Sequence, residues 1–163
     1  MHSVDNIPYS VERHPSRPDR KDQSTKDSGA VAALKQICSL GYGSVSVASH
    51  ADVLLRRLVE IHGIDSTKHY WWESLATSRF VRYSTSGNGW REQIAVFLAD
   101  MGDPVFLVIT DDEPPPWPVL RIEHGSEVGT LLSEMHFFEY FVFSQDCARV
   151  FFDAHDNVLI SSP

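Results

Sequence analysis

Cysteine is scarce in this sequence: Cys38 and Cys147 are the only two, and no CxxC spacing occurs. That excludes a zinc ribbon or a disulfide-stapled scaffold, and the apolar neighbours of both predict buried, reduced thiols. Long apolar runs are missing too. None approaches the ~20 residues that a membrane-spanning helix needs, so no bilayer crossing is expected. The N-terminal "MHSVDNIPYSVERHPSRPDRKD" lacks the apolar core of a secretory signal, and its early acids argue against a mitochondrial presequence. A cytoplasmic protein is the expectation. Basic residues almost disappear from the second half: residues 92–163 hold only Arg121 and Arg149 against thirteen carboxylates, whereas residues 29–91 hold seven Lys and Arg against four. Phosphate contacts require Lys and Arg, so a nucleic acid is disfavoured as partner and a basic protein is favoured.

What is present suits one domain, since 163 residues can bury a sizeable core unaided. Residues 1–28 are polar, broken by Pro8, Pro15 and Pro18, and too poor in aliphatics to offset the entropy of ordering, which predicts a flexible arm before a domain at 29–163. "AVAALKQICSLG" then puts Val31, Leu34, Ile37 and Cys38 on one helical face and stops at Gly41. A second helix is predicted from Ser49 as N-cap, through Val53, Leu54, Leu58 and Ile61, to Gly63. "DSTKHYWWESLA" predicts a short third helix with Trp72 and Leu75 inward. "RFVRYST" has the two-residue alternation of a strand, and "WREQIAVFLADMG" returns to helical spacing. "PVFLVIT" and "WPVLRIE" read as strands, "GSEVGTLLSEM" as a helix capped by Ser126, and "FFEYFVFS", "ARVFFDA" and "NVLIS" as three strands joined by short hairpin connections. The layout is α+β, with N-terminal helices packed on one face of a mostly antiparallel sheet. "FFEYFVF" is aromatic on both of its faces, which predicts a place near the sheet centre.

No motif of established chemistry stands out. His124, His136 and His155 match no recurrent zinc spacing, and the Asp-His-Asn turn around His155 is what a hairpin connection uses anyway. No metal or other cofactor is called for. "SGNG", residues 86–89, lacks the lysine and glycine spacing of a phosphate loop. The densest acidic cluster, Asp111, Asp112 and Glu113, abuts Pro114, Pro115 and Pro116 and then Trp117. Consecutive prolines prefer the extended polyproline II form, so the stretch reads either as a stiff acidic probe tipped by an indole or as a hairpin connection with Trp117 packed beneath it.

The closing "EMHFFEYFVFSQDCARVFFDAHDNVLISSP", with "NGWREQIAVFL" and "PVFLVITDDE" before it, resembles small bacterial proteins of the families grouped with toxin-immunity proteins, over roughly Arg79 to Ile160. The resemblance implies a cytosolic, non-enzymatic protein that binds a cognate toxin, commonly a nuclease with a basic cleft. The acid excess favours the same kind of partner. The expectation is an immunity-type protein that occludes a basic toxin, with Asp111, Asp112 and Glu113 supplying charge, Trp117 the anchor, and Glu123 and Glu127 supporting acids. The rival expectation, from another class, is a small hydrolase-like enzyme using His155 with Asp153 or Asp156.

Overall fold

In a computed structural model that describes residues 28–76, 78–84, 89–135, 138–154 and 157–162, seven short strands form one sheet in the order β1-β4-β3-β5-β6-β7-β2, every neighbouring pair antiparallel. The strands are β1 (Val45–Val47), β2 (Arg79–Arg82), β3 (Val105–Ile109), β4 (Val119–Ile122), β5 (Tyr140–Ser144), β6 (Val150–Ala154) and β7 (Val158–Ser161). The helices are α1 (Gly29–Ser39), α2 (Ala51–His62), α3 (Gly89–Ala99) and α4 (Val128–Ser133). The protein is therefore α+β. β5 lies at the centre of the strand order, where its aromatic residues on both faces predict it.

All five residues of β3 and of β5 are buried, so both faces of the sheet must be covered. One face carries Leu107, Ile109, Val142 and Phe151 and packs against Ala30, Ala33 and Ile37 of α1, Ile94 and Phe97 of α3, and Leu131 of α4. The other carries Phe106, Val108, Phe141, Phe143 and Phe152 and packs against Leu58 of α2, Trp71, Trp117 and Cys147. This corrects the expectation of helices on one face. A strand apolar on both sides leaves the second face no alternative to cover of its own.

Several local expectations change with the layers. α1 rests on the sheet through Ala30, Ala33 and Ile37, with the small alanines at the contact, so Val31 and Cys38 turn outward. Cys147 alone of the two thiols is buried. α2 is stopped by Gly63 at φ 61°, as expected, but its first turn follows a left-handed His50 without a side-chain cap rather than Ser49. The predicted third helix is one 3₁₀ turn, Trp71–Ser74, and it buries Trp71 in place of Trp72. β1, which pairs with β4, has only three residues and left no alternation long enough to be read.

Trp117 is 7% exposed, its ring 4.8 Å from that of Trp71 and edge-on to it, and 6.0 Å from that of Phe141. The expectation of a projecting anchor is corrected: the indole is core, because its apolar area is worth more against Trp71 and Phe141 than in water. Trp117→Ala is expected to cost about 3–5 kcal/mol, as large aromatic truncations in cores do. Thermal denaturation followed by circular dichroism should then show a Tm lower by on the order of 10 °C. An unchanged Tm would return the indole to the surface.

Candidate functional site

The connection between β3 and β4 is built as a tight turn. Thr110 and Asp111 both donate their amides to the carbonyl of Glu139, at 2.9 and 3.1 Å, and Glu113 closes the turn onto Thr110 O at 2.8 Å. Asp111 and Asp112 take positive φ, 43° and 57°, a region that Asp tolerates better than most residues with a side chain. The peptide between Pro115 and Pro116 is cis. The run delivers Trp117 into the core, where its Nε1–H donates to Glu113 O at 2.6 Å.

The acids of this turn serve the fold as well as the surface. Glu113 Oε1 accepts the amide of Gly29 at 2.7 Å, next to Ser28, whose Oγ accepts from Val31 at the N-cap of α1. A carboxylate there meets both an orphan donor and the positive end of the helix. Asp111 Oδ2 occupies the space that a Cβ on Gly29 would need. Burial raises the Asp111 pKa, and the neighbouring Glu113 and Asp112 charges raise it further. Asp112 is exposed, with Oδ1 2.5 Å from His69 Nε2 and 3.4 Å from the Tyr70 hydroxyl that donates to it.

Beside this turn, at the end of the sheet where Ile109, Tyr140 and Asp153 lie in register, opens a narrow cleft of about 30 Å³. Its lining residues include the acidic Asp112, Glu113, Glu139 and Asp153 and the aromatic Tyr70, Trp71, Trp72 and Trp117, with no Lys or Arg. Tyr70 and Trp72 stack, with centroids 5.6 Å apart and planes at 24°. Asp153 Oδ1 accepts the Tyr83 hydroxyl at 2.7 Å. Tyr140, the cross-strand neighbour of Asp153, turns its buried hydroxyl toward the same carboxylate, on the sheet face of Val142 and Phe151. Desolvation raises the Asp153 pKa against the lowering effect of the two tyrosines, and desolvation followed by the Asp153 charge and hydrogen bonding raises that of Tyr140.

A wider groove of about 530 Å³ continues from the cleft through the shared residues Tyr70, Trp72 and Ala154. It runs over Phe80, Val158 and Ile160 of β2 and β7, with Glu73 and Arg82 at its margin, and Phe80 is 63% exposed. Sequence reasoning missed Tyr70, Trp72, Phe80, Glu139 and Asp153 as a surface. One signal was present: in "VFFDA" Asp153 shares the parity of Phe151, which puts a carboxylate on a core-facing position.

The structure does not bring all the expected acids together. Glu123 and Glu127 lie at the opposite end of the sheet, where β4 ends, and both are engaged: Arg121 pairs with Glu123, and Ser44 donates its hydroxyl to Glu127. His124 is at that end too, its Nδ1 3.7 Å from Asp103 Oδ2. His136, His155, Asp156 and residues 86–88 lie outside the described residues, as do residues 1–27 of the expected arm. Among the described residues no cluster of three His, Cys, Asp or Glu could hold a metal ion, and no helix is long and apolar enough to cross a membrane. In comparisons with family models, curated proteins and solved structures, nothing matches the chain.

Asp153 makes the site measurable by pH. With its pKa raised, the folded protein keeps a proton that the unfolded chain has already released, so this group's contribution to stability falls as pH rises from the ordinary Asp range through the folded pKa. Asp153→Asn retains an acceptor for Tyr83 and removes the charge. Its Tm is expected to exceed that of the parent at neutral pH, with the gap closing below about pH 3.5, where both states of the parent are protonated. A variant less stable than the parent at neutral pH would reverse this account.

Proposed function

We propose that this is a non-catalytic, immunity-type binding protein that neutralises a basic cognate toxin by covering it with the acid-lined end of its sheet. The observation that carries the reading is the cleft lining, four acidic residues without a Lys or Arg, beside a groove that exposes Phe80. The resemblance to toxin-immunity families supplies the class of partner, and a nuclease with a basic cleft suits it best. Charge and apolar surface would act at different stages. Rim carboxylates of one sign raise the encounter rate with a basic surface, and salt screens that effect. Apolar anchors that are desolvated on docking set the lifetime, since changes in affinity appear mainly in the off-rate. Phe80 and Trp72 take the anchoring role that Trp117 cannot fill from within the core.

One observation favours a second reading. A carboxylate that is largely buried, with a raised pKa, beside a cleft is what general acid–base chemistry uses, so a small hydrolase-like enzyme acting through Asp153 remains the alternative from another class. Asp153→Asn would abolish such turnover while leaving the fold intact.

The test of the binding reading is kinetic, with a basic toxin domain, to be sought in the reading frame next to that of this protein, as the partner. Phe80→Ala is expected to speed dissociation by about 30-fold, the equivalent of ~2 kcal/mol for a buried aromatic anchor. Asp112→Asn should instead slow association, by a factor that shrinks as salt is raised. Association that ignores salt, with dissociation unmoved by Phe80→Ala, would remove this surface from the interface.

A further inference from the structure

β2 ends the sheet, and among the described residues its outer edge is open. The strand order places it beside β7 alone, and Tyr83 donates its amide to the carbonyl of Asn157 at 3.0 Å, just past the register pair of Arg82 and Val158. That bond fixes which backbone groups are used. In an antiparallel pair, residues whose N–H and C=O face the neighbouring strand alternate with residues whose groups face away. Arg79, Val81 and Tyr83 therefore face β7, and the N–H and C=O of Phe80 and Arg82 point outward. The side chains of those two residues stand on the groove face, both exposed, Phe80 at 63%. Arg79 is turned to the other face, its guanidinium 5.7 Å from the centroid of the Phe97 ring. An edge with outward amides and an uncovered ring is ready to take a further strand, unless its side chains repel the one that arrives.

We infer that the strand it takes is β2 of a second copy of this chain, paired antiparallel about a two-fold axis through Val81. The order of residues in the strand argues for this occupant. With Val81 opposite its own copy, Phe80 of each chain lies opposite Arg82 of the other, and Arg79 lies opposite Tyr83. Every outward N–H and C=O of both strands then finds a partner. The axis is perpendicular to the sheet, so the groove faces of the two copies stay on one side. Each Arg82 guanidinium comes within reach of a Phe80 ring of the other copy and of the groove that Glu73 lines there, which favours the pair through cation–π attraction and opposite charge. A register centred on Phe80 leaves Arg82 opposite Ser78, beyond the end of β2, and one centred on Arg82 sets two guanidinium groups against each other. An unrelated strand would have to bring its own match for Phe80 and Arg82, whereas the second copy brings it by symmetry.

The inference is independent of the toxin, although both uses engage Phe80, so one copy could not serve both at once. Sedimentation equilibrium of the full chain at rising concentration is expected to show the mass climbing from 18.4 kDa toward twice that, with a Kd on the order of 100 μM, as an interface confined to one strand edge allows. Charge variants of the exposed Phe80 then read the register, with the Tm of each checked to show that the fold is intact. Phe80→Glu puts a carboxylate opposite Arg82 of the other copy and is expected to keep the dimer while making it weaken as salt is raised. Phe80→Arg puts two cations there and should weaken the dimer at least about tenfold, and adding Arg82→Glu to Phe80→Arg should restore it. A chain that stays at 18.4 kDa at every concentration would leave the edge to a strand of another protein and overturn the dimer. Loss of association in Phe80→Glu as well as in Phe80→Arg would mean that apolar contact alone holds the copies together and would overturn the pairing. Masses that climb past twice the chain would mark open-ended association, which a closed two-fold does not allow, and would overturn it too.

Discussion

Glu113 holds the two layers of this protein to one another. Its side chain accepts the amide of Gly29 at the start of α1, on one face of the sheet, while its carbonyl accepts the indole N–H of Trp117, which is packed into the core of the other face. The prolines between Glu113 and Trp117 bring those two commitments within a few residues of each other. Both ends of the turn are thereby fixed, and with them the placement of Asp111 and Asp112. The acids crowd against the prolines because the helix N-terminus and the second core are both reached from the same short connection.

That crowding has an electrostatic cost, and the structure offsets it locally. Three adjacent carboxylates repel one another, which contributes to the raised pKa of Asp111. The N-terminus of α1 draws Glu113 away on one side and His69 with Tyr70 draws Asp112 on the other, so the charges are spread over three elements. His69 and Tyr70 are carried by the segment that turns into Trp71–Ser74, and the same segment supplies the aromatic wall of the cleft. The placement of the acidic turn and the shape of the cleft are consequently one structural fact.

Much of the sheet was legible because its signals are local. Alternation and short polar breaks mark β5, β6 and β7, and the doubly aromatic β5 points to the centre of the sheet. What stayed hidden depends on partners distant in sequence. Gly29 and Glu113 are 84 residues apart, and nothing near either announces the other. The buried face of α1 was misread because side-chain size suggested Val31 and Cys38, whereas close approach to the sheet favours Ala30 and Ala33. Trp71 and Trp72 are adjacent, and only the second core decides which of them goes inside. The cleft followed the same rule: Asp153 could be noticed from its parity in β6, but Tyr70, Trp72 and Phe80 become neighbours only when β2 closes onto β7.

The two ends of the sheet differ in a way that bears on function. At the end away from the cleft, described polar groups find partners within the fold: Asp103 accepts the amide of Gly125, Asp146 accepts Ser144 Oγ and the amide of Ala148, Ser44 reaches Glu127, and Ser162 Oγ accepts the amide of Val150. At the cleft end, Asp153 is desolvated and held between the hydroxyls of Tyr83 and Tyr140. A desolvated carboxylate of this kind subtracts from stability at neutral pH. Apolar residues of similar shape would remove that cost without disturbing the strand register, since the sheet is closed by backbone pairing and by the cores on either face. A fold that pairs its acids at one end and desolvates one between two tyrosines at the other carries an electrostatic cost at the acid-rich end of its sheet that packing alone does not require.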